Sequence, residues 1–225
     1  MLFQLLPAYL AGIIIKLFFM KKFFLSTIAL VAIVVAGNAQ VSFGIKAGLN
    51  NSTFGGDAAD FDGKKSNTAF NAGVVANIPF SEHFSFKPEL MYSSDEGFEY
   101  RPASTTELNY NLNYLNVPLM VQFKSDKGLY AEAGPYVGFL LSGKAKLNVS
   151  GTKTESDVKD SFKGTDLGAS LGVGFLGKSG WGIGARYNMG LANIYDGGAE
   201  YKNRFWQVDI MRMMKSKHEM AKKKK

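Results

Sequence analysis

The chain contains no cysteine. A disulfide framework, a thiolate metal site and a cysteine nucleophile are therefore excluded. Histidine is nearly absent too: His83 and His218 are the only two in 225 residues. His83 falls in a short turn and His218 in a charged tail, so no Ser–His pair can be placed for acyl or phospholipid hydrolysis. No stretch after residue 40 holds a long helical period. Metal-ligand clusters of recognised spacing are missing as well. Asp57, Asp60 and Asp62 do not match an EF-hand loop and read as a solvated acidic loop rather than a weak Ca²⁺ site. No cofactor is expected.

A basic surface is lacking despite the net charge of +7. Lys16, Lys21 and Lys22 lie before residue 40, and six more lysines follow residue 214 beside one acid, Glu219. Residues 40–214 keep 17 of the 26 basic residues and 18 of the 19 acidic ones, a net charge of −1. The body of the chain thus offers no electrostatic footprint for nucleic acid.

What is present begins with an address. Lys21 and Lys22 form a basic region, Phe23 to Val35 an apolar one, and Gly37 and Ala39 a small-residue cleavage site. This predicts a cleaved signal peptide over 20–39. The apolar run is short of the ~20 residues a spanning helix needs. Residues 1–19 read as an extension upstream of the natural start at Met20; a first anchor is the alternative. Residues 40–214 are expected to form the barrel and 215–225 a Lys-rich tail.

From Val41 onward the period is two. Val41, Phe43, Ile45, Ala47 and Leu49 alternate with small or polar residues, and so do Leu115 to Phe123, Leu129 to Leu141, Leu167 to Phe175 and Ile183 to Met189. Short connections fall at Ser81–His83, Ser125–Gly128 and Gly177–Gly180. Long polar ones fall near 50–69, 94–109, 143–164 and 191–203. Short turns on one rim and long loops on the other predict an all-β fold, an eight-stranded antiparallel up-and-down transmembrane β-barrel. Closure removes the edges that lipid cannot satisfy. The eighth strand is expected near 204–213.

Aromatic residues gather at strand ends. Phe80, Phe84, Phe123, Phe175 and Trp181 lie by the short turns, and Phe70, Tyr92, Tyr110, Tyr114 and Tyr195 by the long loops. Two such bands predict interfacial girdles. With apolar residues facing lipid, the interior would hold a polar network of Lys46, Lys87, Glu89, Glu132, Asp166, Arg186 and Asp209. An eight-stranded barrel is just wide enough for side chains to fill it, and buried charges need such partners. Glu89 and Glu132 could be mistaken for an acid/base pair, but no substrate-positioning groups accompany them. Alternation alone does not separate inside from outside. The competing fold is a soluble periplasmic, lipocalin-like barrel with Val74, Leu90, Val121, Phe139 and Leu171 lining a pocket for an apolar ligand.

Four segments carry a family likeness: Val41–Asn50, Tyr114–Phe123, Ala133–Gly143 and Gly184–Ile194. In this order they make the chain resemble the PorT-like outer-membrane β-barrels of Bacteroidetes over about 40–208. The resemblance implies an eight-stranded barrel in the outer membrane; the residues themselves give no reason to expect catalysis. Independently of the resemblance, the expected partners are outer-membrane lipid, the barrel assembly machinery and an extracellular or envelope protein met through the long loops, since exposed loops commonly carry recognition. Tyr110, Tyr114, Tyr195 and the charged 153–163 stretch are the candidate contacts. The end departs from the pattern. Asn203 to Ile210 begins a strand that runs into Met211-Arg-Met-Met without the closing aromatic, so pairing of the last strand with the first is not assured by sequence.

Overall fold

The computed structural model describes residues 41–57, 64–94, 98–103 and 106–214. The signal peptide, the upstream extension and the Lys-rich tail lie outside the described residues, as do Asp60 and Asp62.

The described residues form ten strands: β1 (Ser42–Gly56), β2 (Lys64–Pro79), β3 (Phe84–Ser93), β4 (Phe98–Ala103), β5 (Thr106–Lys124), β6 (Leu129–Val149), β7 (Thr152–Asp157), β8 (Thr165–Leu176), β9 (Trp181–Gly190) and β10 (Tyr201–Met213). They fill eight lanes. β2 and β5 hold β3 between them near the short turns and β4 between them further up. Along β6, β8 pairs with residues 129–139 and β7 with residues 144–149. The ring is β1–β2–β3–β5–β6–β8–β9–β10, with every pairing antiparallel. It closes where β10 meets β1, from Gly44↔Met213 to Gly56↔Tyr201. The last strand therefore docks without a terminal aromatic.

The short-turn rim is stitched laterally. Lys124 N donates to His83 O at 2.8 Å, Leu176 N to Gly128 O at 2.8 Å and Met213 N to Gly180 O at 2.7 Å. Gly128 and Gly180 close their turns at φ of 96° and 89°, a left-handed conformation that suits glycine.

The long connections are shorter than the sequence implied. Strand structure occupies 50–56, 64–69, 98–103, 106–109, 143–149 and 152–157. These segments carry polar residues on both faces or lie above the lipid, so apolar alternation does not mark them. They form by prolonging ladders that begin in the barrel wall.

Side-chain distribution settles which face looks out. Ile45 is 61% exposed, Leu171 65%, Trp206 60% and Ile210 58%, while Lys46, Glu89 and Arg186 are buried. Val74, Leu90, Val121, Phe139 and Leu171 are all exposed. That overturns the lipocalin-like reading, which needs them inside. A continuous exposed apolar wall around a polar interior is stable only where the solvent is itself apolar. On β10 this wall is bracketed: Arg204 and Arg212 flank the outward Trp206, Val208 and Ile210. At ~3.3 Å per residue and a ~45° tilt the two guanidinium groups stand about 20 Å apart along the membrane normal. Arg212 lies 5.2 Å from the Trp181 ring centroid and donates to the Ser179 carbonyl.

Candidate functional site: a sealed interior and a capped mouth

Each interior charge is placed by strand alternation. Lys46 on β1, Lys87 and Glu89 on β3, Glu132 on β6, Arg186 on β9 and Asp209 on β10 all fall on inward positions. Arg186 is the hub. Its Nη1 and Nη2 donate to Glu89 at 2.8 Å each, and its Nε and Nη2 donate to Glu132 at 3.1 and 2.5 Å. Lys46 Nζ lies 3.3 Å from Glu89 and 3.2 Å from Asp209. Lys87 Nζ stands 3.6 Å from Glu132 and 5.3 Å from the Tyr130 ring centroid. Three cations thus meet three carboxylates, which is how charges survive burial. In the eight-lane ring β3 and β9 are diametrically opposed, so the Arg186–Glu89 fork spans the lumen.

Asp166 does not join this cluster. It accepts hydrogen bonds from the Tyr136 hydroxyl and from Asn203 Nδ2, both at 3.0 Å. The Tyr136 ring in turn meets Phe205 edge-on at 6.2 Å.

Several interior partners were not singled out from sequence. Gln122 Nε2 donates to Glu132 at 3.2 Å, and Gln207 Nε2 donates to Asp209 at 2.8 Å. Asn71 Nδ2 donates to Asn50 Oδ1 at 2.8 Å, and Asn50 Nδ2 to Ser93 Oγ at 2.9 Å. Ser170 Oγ donates to Asn188 Oδ1 at 2.6 Å. The signal was available. Asn188 is two residues from Arg186, Gln207 two from Asp209 and Asn50 four from Lys46, all in the inward phase.

Small residues make room for this filling. The Tyr130 phenol lies against Gly174 and Gly184, and the Tyr136 ring against Gly168. A Cβ at Gly184 would overlap the Tyr130 hydroxyl. Gly184→Ala is expected to cost about 1–3 kcal/mol by overpacking, measured by urea unfolding in lipid vesicles. Tyr130→Phe in the same chain should recover most of the loss. An additive double variant would show that the phenol is not what Gly184 accommodates.

At the long-loop end the mouth is capped. Phe54, Leu112, Tyr114, Leu140, Phe162 and Ile194 form a buried cluster, with Tyr110, Tyr195 and Tyr201 packed against it. A 3₁₀ turn at Lys159–Ser161 delivers Phe162, which bridges to Tyr195. The Tyr195 and Tyr201 rings stack at 4.6 Å. Burial pushes the Tyr110 and Tyr201 phenols above their ordinary titration range, with neighbouring Tyr195 adding to the effect.

This corrects three of the girdle residues. Tyr114 is fully buried because it is in phase with inward Asn116, Met120 and Gln122, not with outward Leu115 and Val121. Tyr110 and Tyr195 are half-buried and pack against the aromatic cluster of the cap. Tyr114 is also removed as a surface contact. Phe80, Phe84, Phe123, Phe175 and Trp181 are exposed on the short-turn side. Phe70 is exposed beside Tyr92, their rings 5.8 Å apart.

His83 Nε2 lies 3.4 Å from Asp126 in the short-turn rim, remote from any nucleophile near the mouth. Asp57 Oδ2 accepts from Glu200 N at 2.7 Å, pinning the end of β1 to the segment before β10. Gly172 and Gly174 are strand residues of β8. Among the described residues no group of three or more His, Asp or Glu side chains is placed to hold a metal ion.

An all-β closed wall, apolar outside and polar inside, defines an integral membrane barrel. The chain belongs to the family described as outer membrane protein beta-barrel domain, which matches residues 37–196. It is a protein of the bacterial outer membrane. The family match stops before β10. Neisserial surface protein A is similar at 12% identity and a TM-score of 0.49, covering 76% of this chain and 97% of that one. The attachment invasion locus protein Ail of Yersinia pestis is similar at 15% identity and a TM-score of 0.47, covering 78% and 99%. OprG of Pseudomonas aeruginosa is similar at 11% identity and a TM-score of 0.36, covering 78% and 97%. No curated protein matches the chain.

Proposed function

We propose that this barrel is an anchoring and interaction protein, with no catalytic or transport step. The observation that carries the reading is the Arg186–Glu89 fork between opposed strands, under a capped mouth. A lumen crossed by ion pairs offers no path for a solute. The work then falls to the parts that rise beyond the wall, the β6–β7 hairpin above all, where all six residues of β7 are exposed. The partner is an extracellular or envelope protein, met through Thr154 and Ser156 on the other face of that hairpin and through the turn at Lys159–Ser161. The four sequence segments named above support a place among the PorT-like barrels. Insertion would rely on the barrel assembly machinery, and the exposed aromatic residues at both strand ends would sit at the lipid–water boundaries.

The test has two arms. A photo-cross-linking residue at Thr154 is expected to trap an envelope protein in living cells, while the same residue at Ser179 on the opposite rim does not. The purified chain in planar bilayers is expected to show no ion conductance. Steady conductance, with no adduct specific to Thr154, would overturn the proposal in favour of a pore.

A further inference from the structure

The outward face of the wall changes character at one place. Along β5, outward Leu115, Val117, Leu119 and Val121 give way above to Asn113, Asn111, Asn109 and Glu107. On β6 the register slips between Asn113↔Ser142 and Tyr114↔Leu140, leaving Leu141 as an extra residue. This β-bulge reverses the phase of β6. Below it Phe139 and Leu141 look out; above it Ser142, Lys144, Lys146 and Asn148 do. β7 adds Lys153, Glu155 and Asp157 to the same outward lattice.

The lattice is internally braced. Asn113 Nδ2 donates to Ser142 Oγ at 2.8 Å, and Lys144 pairs with Glu155 at 2.5 Å. That hydrogen bond raises the Lys144 ammonium and lowers the Glu155 carboxyl from their ordinary values, so both stay charged. With its amide turned to satisfy both ends, Asn111 accepts from Lys146 at 3.1 Å and donates to Asn109 at 2.7 Å. A groove of about 470 Å³ lies over it, lined by the charged and amide residues Glu107, Asn109, Lys146, Asn148, Lys153 and Glu155 together with Leu147 and Thr154.

We infer that this outward face seats the headgroup of an outer-leaflet glycolipid, a phosphorylated oligosaccharide on acyl chains. Three arguments converge. The lattice is continuous with the lipid-facing wall, on the same strands and the same side, so the molecule covering Leu115 and Phe139 with its tails presents its head here. The height then selects the head. Each pair of residues rises about 5 Å at ~3.3 Å per residue and a ~45° tilt, placing the Glu107–Asn148 row about 20 Å above Leu115. A phospholipid headgroup region is only about 5–8 Å deep, whereas a chain of sugars reaches that far. The chemistry agrees: amides and carboxylates match sugar hydroxyls, and the lysines match phosphates as charge-assisted donors.

The test uses the full chain in nanodiscs of phosphatidylethanolamine and phosphatidylglycerol, with and without a short-sugar lipopolysaccharide. Lipopolysaccharide retained per protein after mild extraction is read by native mass spectrometry. The unaltered chain is expected to retain it. Lys146→Gln with Lys153→Gln should reduce retention at least fivefold, and Asn109→Ala should reduce it separately. Lys124→Gln with Lys178→Gln removes the same charge at the opposite rim and should change nothing. Heat-dependent gel mobility verifies that each variant is a closed barrel. Deacylated oligosaccharide should compete, and glycerophospholipid should not. Equal retention by the Lys146/Lys153 variant, or equal competition by phospholipid, overturns the inference.

Discussion

Replacing Glu89 with alanine is expected to destabilise the barrel by about 3–5 kcal/mol, the cost of stranding buried charges. Two cations lose one of their two carboxylate partners at once. Arg186 keeps Glu132, and Lys46 keeps Asp209, but the bidentate fork disappears. The measurement is equilibrium urea unfolding in phospholipid vesicles. Glu89→Ala with Lys87→Met leaves two matched pairs, Lys46 with Asp209 and Arg186 with Glu132, and should recover a large part of the loss. If the double variant is as unstable as the sum of its parts, the charges do not act as one cluster.

The second large effect is on the outside. Leu171 lies mid-strand on β8, between lipid-facing Ala169 and Val173, and is 65% exposed. Leu171→Arg is expected to cost about 2–4 kcal/mol in vesicles, and Thr165→Arg at the mouth-side end of the strand about 0–1 kcal/mol. In water an arginine at a 65% exposed site would be tolerated. A negligible cost at Leu171 would mean that this face does not contact hydrocarbon.

The period-two pattern made the wall legible from sequence because one face of each strand meets lipid and the other a packed interior. That contrast fixes the phase of Lys46, Lys87, Glu89, Glu132, Arg186 and Asp209. Which of them touch was not legible, since the contacts cross between strands far apart in the chain. Arg186 and Glu89 are 97 residues apart. Tyr114 stands near a strand end but in the inward phase, and phase rather than position along the strand decides its side. Above the membrane both faces of a strand meet water or a loop, so β4 and β7 have no periodic signature. The bulge at Leu141 is hidden for a related reason: Leu140, Leu141 and Ser142 read equally well in either phase.

The seam between β1 and β10 has a consequence in time. It joins the first strand of the barrel to the last, so no local contact can form it. Until Met213 is in place the wall is an open sheet with two unsatisfied edges, and the Lys46–Asp209 pair lacks one member. Closing so long a stretch of chain carries a large entropic barrier. The intact seam then works in reverse as a latch. Opening the wall exposes backbone polar groups to hydrocarbon all along the break, so a barrel once closed leaves its folded state slowly.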